Sequence, residues 1–433
     1  MANTALDPHA AITTTASGVV AQPLTTADGK PLVRALARSQ SRARRRAFLL
    51  VLPLLAFILV TFVVPIGQML QRSFHNDGFS ANMPNVSAWF AQTERGTQPD
   101  DAAWQALATD LQASAEARNI GVVGTRVNYD MPGTRSLFTS TGRKVRDGIE
   151  PPYRDALLAI DEEWGDPQLW ATMREVSSPY TANFYLASVD RTRDVNGDIQ
   201  QVDENQRVYV MLFWRTFWLS GLITLLTFVL GFPIAHLLAT LPMRKSNLLM
   251  ILVLLPFWTS LLVRTTSWMV LLQQQGVVND LLVWMGVIGG GQRLQMIYNQ
   301  TGTIIAMTHI LLPFMILPLY SVMRTINPSY VRAARSLGAT SWTAFRRIYF
   351  PQTLPGLGAG AMLVFILAVG YYITPALVGG SSGQLISNMI AQHMTSTLNW
   401  SMAAALAALL LGAVLVLYWL YDRLVGVDNL KLG

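Results

Sequence analysis

Six long apolar stretches restrict the fold of this chain more than any other feature. Crossing about 30 Å of hydrocarbon as a helix takes roughly 20 apolar residues, and a backbone in lipid must satisfy its hydrogen bonds internally. Arg264 is the only charged residue within the six stretches. The sequence therefore predicts an all-α polytopic membrane protein with six transmembrane helices, at residues 47–71, 216–239, 248–272, 301–323, 357–378 and 401–421.

The composition agrees with this prediction. Hydrophobic residues make up 52% of the chain and charged residues 13%, with a mean hydropathy of +0.34. These values lie outside the range of ordinary soluble domains. The chain has no cysteine, which excludes disulfides, zinc–thiolate sites and a cysteine nucleophile.

The net charge of +7 is divided unevenly along the chain. Residues 75–207 contain 20 Asp and Glu against 12 Lys and Arg, whereas the rest contains 5 acids and 20 bases. Such a division is typical of a translocated acidic segment joined to basic cytoplasmic loops. Nucleic-acid binding would need a soluble basic face with interleaved aromatic residues, and no segment has that composition.

The domain organisation follows from these contrasts. Residues 1–46 are rich in Ala, Thr and Ser and end in RSQSRARRR, which predicts a disordered, basic cytoplasmic tail. Residues 47–71 are the first transmembrane helix, and residues 72–210 form a large extracytoplasmic insert. Residues 211–425 contain helices two to six. Six crossings return the C-terminus to the cytoplasmic side.

The insert is long enough to fold as a small domain. It contains four tryptophans, and DALLAIDEEW alternates apolar and acidic residues at helical spacing. The stretch NFYLASVDRTRDVNGDIQQV predicts two strands joined at Asn196–Gly197. Asp194, Asn196 and Asp198 resemble the start of a calcium loop, but Ile199 and Asn205 stand where glycine and glutamate are required. The hairpin is the better interpretation.

The loop at residues 326–356 is unusually specific for a membrane-protein connection. Asn327–Pro328 predicts a helix start, and Leu337–Gly338 predicts its end, with glycine in the left-handed region. Thr340 can cap a second short helix, and Pro351 and Pro355 should prevent its continuation into span five. Its arginines place this loop in the cytoplasm.

This loop resembles that of the inner-membrane permease subunits of binding-protein-dependent (type I) ABC importers. The family pattern is Glu-Ala-Ala, three residues, Gly, nine residues, Ile, one residue, Leu-Pro. Here Ala333-Ala334, Gly338, Ile348 and Phe350-Pro351 have the same spacing. Arg332 replaces the family glutamate, and Phe350 replaces the leucine. The segments LPFWTSLLVRTTSWMVLLQQQGVVNDLLVWMGVI and AVGYYITPALVGG are similar to permeases of the spermidine/putrescine and opine branch.

The resemblance implies a transport subunit that catalyses no reaction. No G-x-x-x-x-G-K-[ST] loop occurs in the sequence, so ATP and Mg²⁺ are expected on a partner ATPase, and no cofactor or metal on this chain. The implied partners are two ATPase subunits, a second permease chain, expected to be different, a periplasmic binding protein and membrane lipid. The bacterial inner membrane is the implied location, with both termini cytoplasmic. The residues expected to contact the ATPase are Arg332, Ala333, Ala334, Gly338, Ala339 and Thr340.

The resemblance favours a small organic solute, a polyamine or an opine- or amino-acid-like compound, as substrate. Gly370 and Pro375 interrupt span five, and a broken helix at membrane depth is tolerated only beside protein or water. Aromatic rings could supply cation–π contacts there. The expected pathway residues are Trp268, Asp280, Tyr371, Tyr372 and Thr374. A ferric chelate or an anion is an alternative substrate for the same class of importer.

Two other classes of protein fit the sequence less well. An ion-driven secondary transporter normally places acidic residues inside its spans, and none is present. A membrane receptor would require a cytoplasmic output domain, and only 12 residues follow Tyr421. His236, His309 and His393 are widely separated and belong to no catalytic motif.

Overall fold

The computed structural model describes residues 32–194 and 196–425. Residues 1–31 of the predicted disordered tail lie outside the described residues, but residues 32–46 contradict the prediction, because helix α1 (Leu32–Ile58) includes them. This stretch is rich in Ala, Leu, Arg and Gln, which favour helix. A segment too polar to form a hydrophobic core can still be helical when it continues the helix of an apolar span.

The first compact unit of the chain extends to Gln68. In it α1 continues through a π-helical turn (Leu59–Val63) into α2 (Val64–Arg72). The apolar part, Ala43–Arg72, is 30 residues long and forms one candidate span. Side chains from Ala43 to Gln68 are exposed within the unit, as expected for a helix whose surface meets lipid.

The insert is helical and has its own hydrophobic core. Trp164 and Phe138 pack edge to face there, and Trp164 donates to Thr141 Oγ1 across 3.0 Å. The predicted helix in DALLAIDEEW is confirmed. The helices of the insert are α3 (Pro84–Gln92), α4 (Asp101–Glu116), α5 (Ile120–Asp130), α6 (Thr134–Val145), α7 (Tyr153–Ile160), α8 (Pro167–Val176) and α9 (Asn183–Ala187).

The predicted hairpin is confirmed at its turn and wrong at its first strand. Strand β1 (Arg191–Arg193) pairs antiparallel with β2 (Ile199–Gln201), with Thr192 opposite Gln200. Gly197 has a φ of +91° in the turn. The preceding NFYLA segment is helix α9 rather than a strand. In this helix the Phe184 side chain is buried in an apolar cluster with Ile386 and Met402.

Six spans are present only if a bent pair of helices counts as one. Five single candidate spans occur among the described residues, and the predicted third span is instead α11 and α12, bent by 96°. A 3₁₀ turn at Leu255–Trp258 separates them, and Ser260 Oγ accepts from the Val263 amide to start α12 afresh. The helices after the insert are α10 (Tyr209–Thr240), α11 (Met243–Leu254), α12 (Leu261–Leu271), α13 (Val277–Trp284), α14 (Gln300–Thr325), α15 (Ser329–Ser336), α16 (Ser341–Ala344), α17 (Phe350–Gly370), α18 (Ile373–Val378), α19 (Gly380–Gly383), α20 (Ile386–Thr395) and α21 (Trp400–Val425).

The fifth span also differs from its prediction. Helix α16 does not stop before the prolines but continues through a π-helical turn, Phe345–Tyr349, into α17. The Phe350 amide bonds back to Phe345 O in this turn, and Pro351 then stands in the first turn of α17. Proline has no N–H to donate, and Pro351 stands where the hydrogen-bond pattern changes from the π-helical turn to the α-helix.

Helices α10, α14 and α17 form the apolar centre of the transmembrane region. Glycine allows α17 and α14 to come close together. A Cβ added to Gly356 would lie 2.8 Å from Pro318 O, and one added to Gly360 would lie 3.0 Å from Met315 Sδ. Small residues at helix contacts are the usual way to pack helices in lipid.

The insert contacts the ends of α20 and α21. Phe184 of the insert shares a buried cluster with Ile386 and Met402. Asn76 Nδ2 donates to Ser401 Oγ across 3.1 Å, and Tyr129 Oη donates to Leu398 O across 3.0 Å. The insert is thereby fixed to the segment that precedes the last span.

Candidate functional site

The 326–356 loop forms the predicted helix–elbow–helix. Asn327 Oδ1 accepts from the Ser329 amide at the start of α15. At the end of α15 the Gly338 and Ala339 amides donate to Arg335 O and Ala334 O, each across 3.0 Å. Gly338 has a φ of +89°, which a residue with a side chain rarely adopts. The predicted position of the glycine is confirmed.

The second short helix of the loop begins where the sequence predicts. Thr340 Oγ1 accepts from the Thr343 amide across 3.2 Å and caps α16. Ala333 is exposed and Ala334 and Ala339 are partly buried, so the side of the loop that carries these alanines presents little side-chain bulk. Another protein surface can therefore approach its backbone closely.

The outer face of the loop is apolar and basic. Tyr330 is 55% exposed, Leu337 88% and Trp342 67%. Arg332, Arg335, Arg346 and Arg347 are also exposed. Among the described residues no carboxylate lies within ion-pair distance of these arginines. Large apolar side chains surrounded by unneutralised charge are typical of a protein interaction surface.

The inner face of the loop is packed on α10. The Phe345 ring stacks on Tyr349 at 6.0 Å and meets Phe232 of α10 edge to face at 6.0 Å. The Tyr349 hydroxyl lies 2.9 Å from His236 Nδ1, also on α10. Sequence reasoning missed this pair, because its members are far apart along the chain.

The predicted pathway helix is broken between α17 and α18. Gly370 ends α17, and the two tyrosines that follow leave the helix. Their carbonyl groups are bound by the start of α20: Ser387 Oγ donates to Tyr371 O across 2.6 Å, and Asn388 Nδ2 donates to Tyr372 O across 2.7 Å. Carbonyl groups released at membrane depth need such partners. Sequence reasoning missed Ser387 and Asn388.

Two of the predicted pathway residues, Thr374 of α18 and Trp268 of α12, make hydrogen bonds to a neighbouring helix. Thr374 Oγ1 lies 3.1 Å from Thr265 Oγ1 of α12, and both residues are buried. Trp268 Nε1 donates to His309 Nδ1 of α14 across 3.1 Å. Tyr372, at the break before α18, is 46% exposed.

Asp280 lies apart from these residues, in the first turn of α13. Its Oδ1 pairs with Arg293 Nη2 across 2.7 Å. The neighbouring Asn279 is buried and fixes the same connection through bonds to Leu294. Asp280 therefore has a cationic partner within the chain, which reduces the charge it can offer to a solute.

The titratable side chains of the described residues form no metal-binding cluster. No group of three or more His, Asp or Glu able to hold a metal occurs among them. The three histidines noted above are each hydrogen-bonded to an aromatic side chain. Their partners are Tyr349, Trp268 and Tyr209.

The described residues form a polytopic helical membrane protein with a broken span and an exposed helix–elbow–helix loop. Residues 217–426 match the family described as "Binding-protein-dependent transport system inner membrane component". The spermidine/putrescine transport system permease protein PotB of Salmonella typhimurium (strain SL1344) is 37% identical over 204 residues, which cover 46% of this chain and 70% of that protein. The protein of the same name from Haemophilus influenzae is 33% identical over 216 residues, or 50% and 75% of the two chains.

A chain of the bacterial alginate ABC transporter, solved with an alginate-bound periplasmic protein, overlaps 50% of this chain and 78% of its own length. The TM-score is 0.41 and the identity 19%. On the strength of the sequence relatives, the chain belongs to the binding-protein-dependent transport family and is a multi-pass inner-membrane permease of an ABC importer. Membership implies an ATPase and a substrate-binding protein as partners.

Proposed function

We propose that this permease imports polyamines, spermidine or putrescine, and that the 326–356 loop connects it to the ATPase. The observation that carries the proposal is the loop itself, an exposed elbow with the family spacing in a chain 37% identical to spermidine/putrescine permeases. The proposed assembly has two permease chains, two ATPase subunits and a periplasmic binding protein. Both termini and the loop face the cytoplasm, and the insert faces the periplasm.

The docking surface has a definite chemistry. The exposed Leu337 and Trp342 offer apolar area, and four exposed arginines offer positive charge. An ATPase groove that fits it should have an apolar floor and an acidic rim. Arg332, which replaces the family glutamate, makes the surface more basic and should favour an ATPase with matching acidic residues.

The pathway is proposed to pass the break after Gly370. Tyr371, Tyr372 and Trp268 supply aromatic faces there, and Thr374 supplies a hydroxyl. No Asp or Glu lies in the six apolar stretches of the sequence, so ammonium groups would be stabilised by ring faces, each worth about 0.5–2 kcal/mol. Such contacts favour passage over tight retention, and selectivity for the polyamine would lie mainly in the binding protein.

Gly338 provides a sharp test of the loop. A Cβ added to Gly338 meets no atom within 4 Å, but its φ is +89°, so a substitution acts through backbone strain alone. We expect Gly338→Val to reach the membrane and lose ATPase association or transport, because a β-branched residue is strained at positive φ. Gly338→Asn is the matched control, since asparagine tolerates this region and should retain most activity.

The measurement is uptake of labelled spermidine and putrescine into proteoliposomes that contain the whole complex. Uptake that requires ATP and is abolished by Gly338→Val supports the proposal. Full uptake by Gly338→Val would exclude a coupling role for the loop. Transport of an anion or a ferric chelate, with neither polyamine transported, would disprove the substrate and leave the importer class intact.

A further inference from the structure

We propose that the hydrogen bond between Tyr349 and His236 couples movement of the 326–356 loop to α10. The inference rests on the proposed function, in which that loop binds the ATPase. The proposal assigns a positioning role to these two residues, which lie where the loop packs on α10 and not on the face that would bind the ATPase. The distance between Tyr349 Oη and His236 Nδ1 is 2.9 Å.

A continuous series of rings leads from the docking face to this bond. Trp342, exposed on α16, stacks on Phe345 with the ring centroids 5.6 Å apart and the planes 21° apart. Phe345 stacks in turn on Tyr349 at 6.0 Å and 27°. Tyr349 is 9% exposed. A displacement of Trp342 by the ATPase would therefore displace Phe345 and Tyr349, because the three rings are in contact.

The hydrogen bond differs in kind from the other contacts at this junction. Phe232 of α10 touches both Phe345 and Phe350, with centroids at 6.0 and 5.8 Å. Ring contacts of this type are weakly directional and let one helix slide on another. A hydrogen bond weakens steeply when its angle or length changes, so the bond between Tyr349 and His236 fixes the register between loop and span.

The backbone at this point supports the same interpretation. Phe345–Tyr349 is the π-helical turn that joins α16 to α17, and such turns are frequent at functional positions within helices. Here the turn holds both Phe345 and Tyr349 against α10. His236 lies near the C-terminal end of α10, the 32-residue span that runs from the insert to the loop side. Displacement of His236 would move one end of a helix that packs on both α14 and α17.

The test compares substitutions that remove or keep this bond in the complete complex. Tyr349→Phe removes the hydroxyl and keeps the ring. His236→Leu removes the ring nitrogen, whereas His236→Asn keeps a polar atom near the position of Nδ1 and serves as the rescue variant. Tyr320→Phe is the matched control, a tyrosine packed on the same cluster for which the described residues show no hydrogen bond.

The readouts are co-purification with the ATPase, ATP hydrolysis with and without the loaded binding protein, and polyamine uptake per ATP hydrolysed. We expect Tyr349→Phe and His236→Leu to retain ATPase binding but to lower uptake per ATP by about fivefold or more, the lower range of measured coupling between sites. The double variant should be no worse than either single variant, because both remove one bond. His236→Asn and Tyr320→Phe should behave like the unaltered protein.

Uptake per ATP that is unchanged in Tyr349→Phe, equal losses in Tyr349→Phe and Tyr320→Phe, or additive losses in the double variant would overturn this inference. Failure of the unaltered chain to bind an ATPase would instead overturn the proposed function. The two failures are distinguishable, because the first is seen in complexes that assemble and hydrolyse ATP.

Discussion

The insert and the transmembrane helices are packed by different rules within one chain. The insert core is built from large rings and aliphatic side chains, with Trp164, Phe79 and Phe138 fully buried. The transmembrane helices instead meet through glycine, as at Gly356 and Gly360, and leave large apolar side chains on their outside. Water drives the first kind of packing by excluding apolar surface. Lipid provides no such force, so close contact of helix backbones replaces it.

Charge shows the same contrast. Three of the four ion pairs among the described residues are in the insert, and the fourth, Asp280–Arg293, is on the connection after α12. In one of these pairs, Arg126–Asp130, the arginine side chain is buried. Thr265 and Thr374 meet between transmembrane helices through uncharged hydroxyl groups, and the arginine contact between Arg324 and Ala239 O lies at the ends of α14 and α10. A charge in hydrocarbon costs far more than a hydroxyl group.

The largest effect is expected from the ion pair of the insert that contains a buried arginine. Arg126 is 2% exposed, pairs with Asp130 across 2.6 Å and lies 5.1 Å from the centre of the Phe184 ring. Asp130→Asn leaves the buried Arg126 guanidinium without its charged partner, which should lower the free energy of unfolding by about 3–5 kcal/mol. Pulse proteolysis of the detergent-purified chain, read at sites in the insert, measures this change.

The control for that prediction is the surface pair Arg95–Glu175, 2.5 Å apart, in which the Arg95 side chain is 48% exposed. Arg95→Met should cost no more than about 1 kcal/mol. Equal losses for the two substitutions would mean that burial does not determine the strength of ion pairs in this insert.

A smaller loss is expected from a bulky residue at the glycine contact of the spans. In Gly356→Val the new Cβ would lie 2.8 Å from Pro318 O and 2.9 Å from Val322 Cβ, so α17 must move away from α14. Overpacking of this kind typically costs about 1–3 kcal/mol. Gly412→Val is the control, because a Cβ at Gly412 meets no atom within 4 Å.

Thermal aggregation of the purified protein, followed by size-exclusion chromatography, compares the two glycine variants. Gly356→Val should aggregate at a lower temperature and Gly412→Val should not. If both variants behave alike, close contact of the backbones is not what holds α14 and α17 together.

The smallest effect is a pH dependence within the insert. Burial raises the pKa of the Asp110 carboxyl above its usual 3.8, although hydrogen bonds from the Val86 amide and Asn85 oppose the shift. A raised pKa means that the folded state binds the proton more tightly, so this contribution to stability is complete below about pH 3.8 and is lost as the pH rises through the folded-state pKa.

Asp110→Asn removes this titration and keeps one of the two acceptor oxygens, which bond Asn85 Nδ2 and the Val86 amide. Relative to the unaltered protein, the variant should therefore gain stability between pH 4 and pH 7. Asp155→Asn, at an exposed position on α7, is the control. A relative loss for Asp110→Asn over this range would contradict the sign of the shift. Pulse proteolysis at the two pH values measures it.

Local signals in the sequence were sufficient for several features of this structure. Gly338 and Thr340 define the elbow and cap of the 326–356 loop, because left-handed backbone and helix capping depend on neighbouring residues alone. The turn at Gly197 is predicted for the same reason. The prediction that Pro351 and Pro355 separate the second short helix from span five was wrong. A π-helical turn before Pro351 lets the helix continue, and this turn is not visible in the sequence.

What the sequence by itself determined is therefore the membrane class, the positions of the apolar spans, the acidic insert and the loop that marks the importer family. Each depends on composition or on spacing over a few residues. The tertiary structure alone decided the bend between α11 and α12, the bonds from Ser387 and Asn388 to the broken span, and the pairing of Tyr349 with His236. These features join residues distant along the chain, and such partners are chosen by how the helices pack rather than by any local pattern.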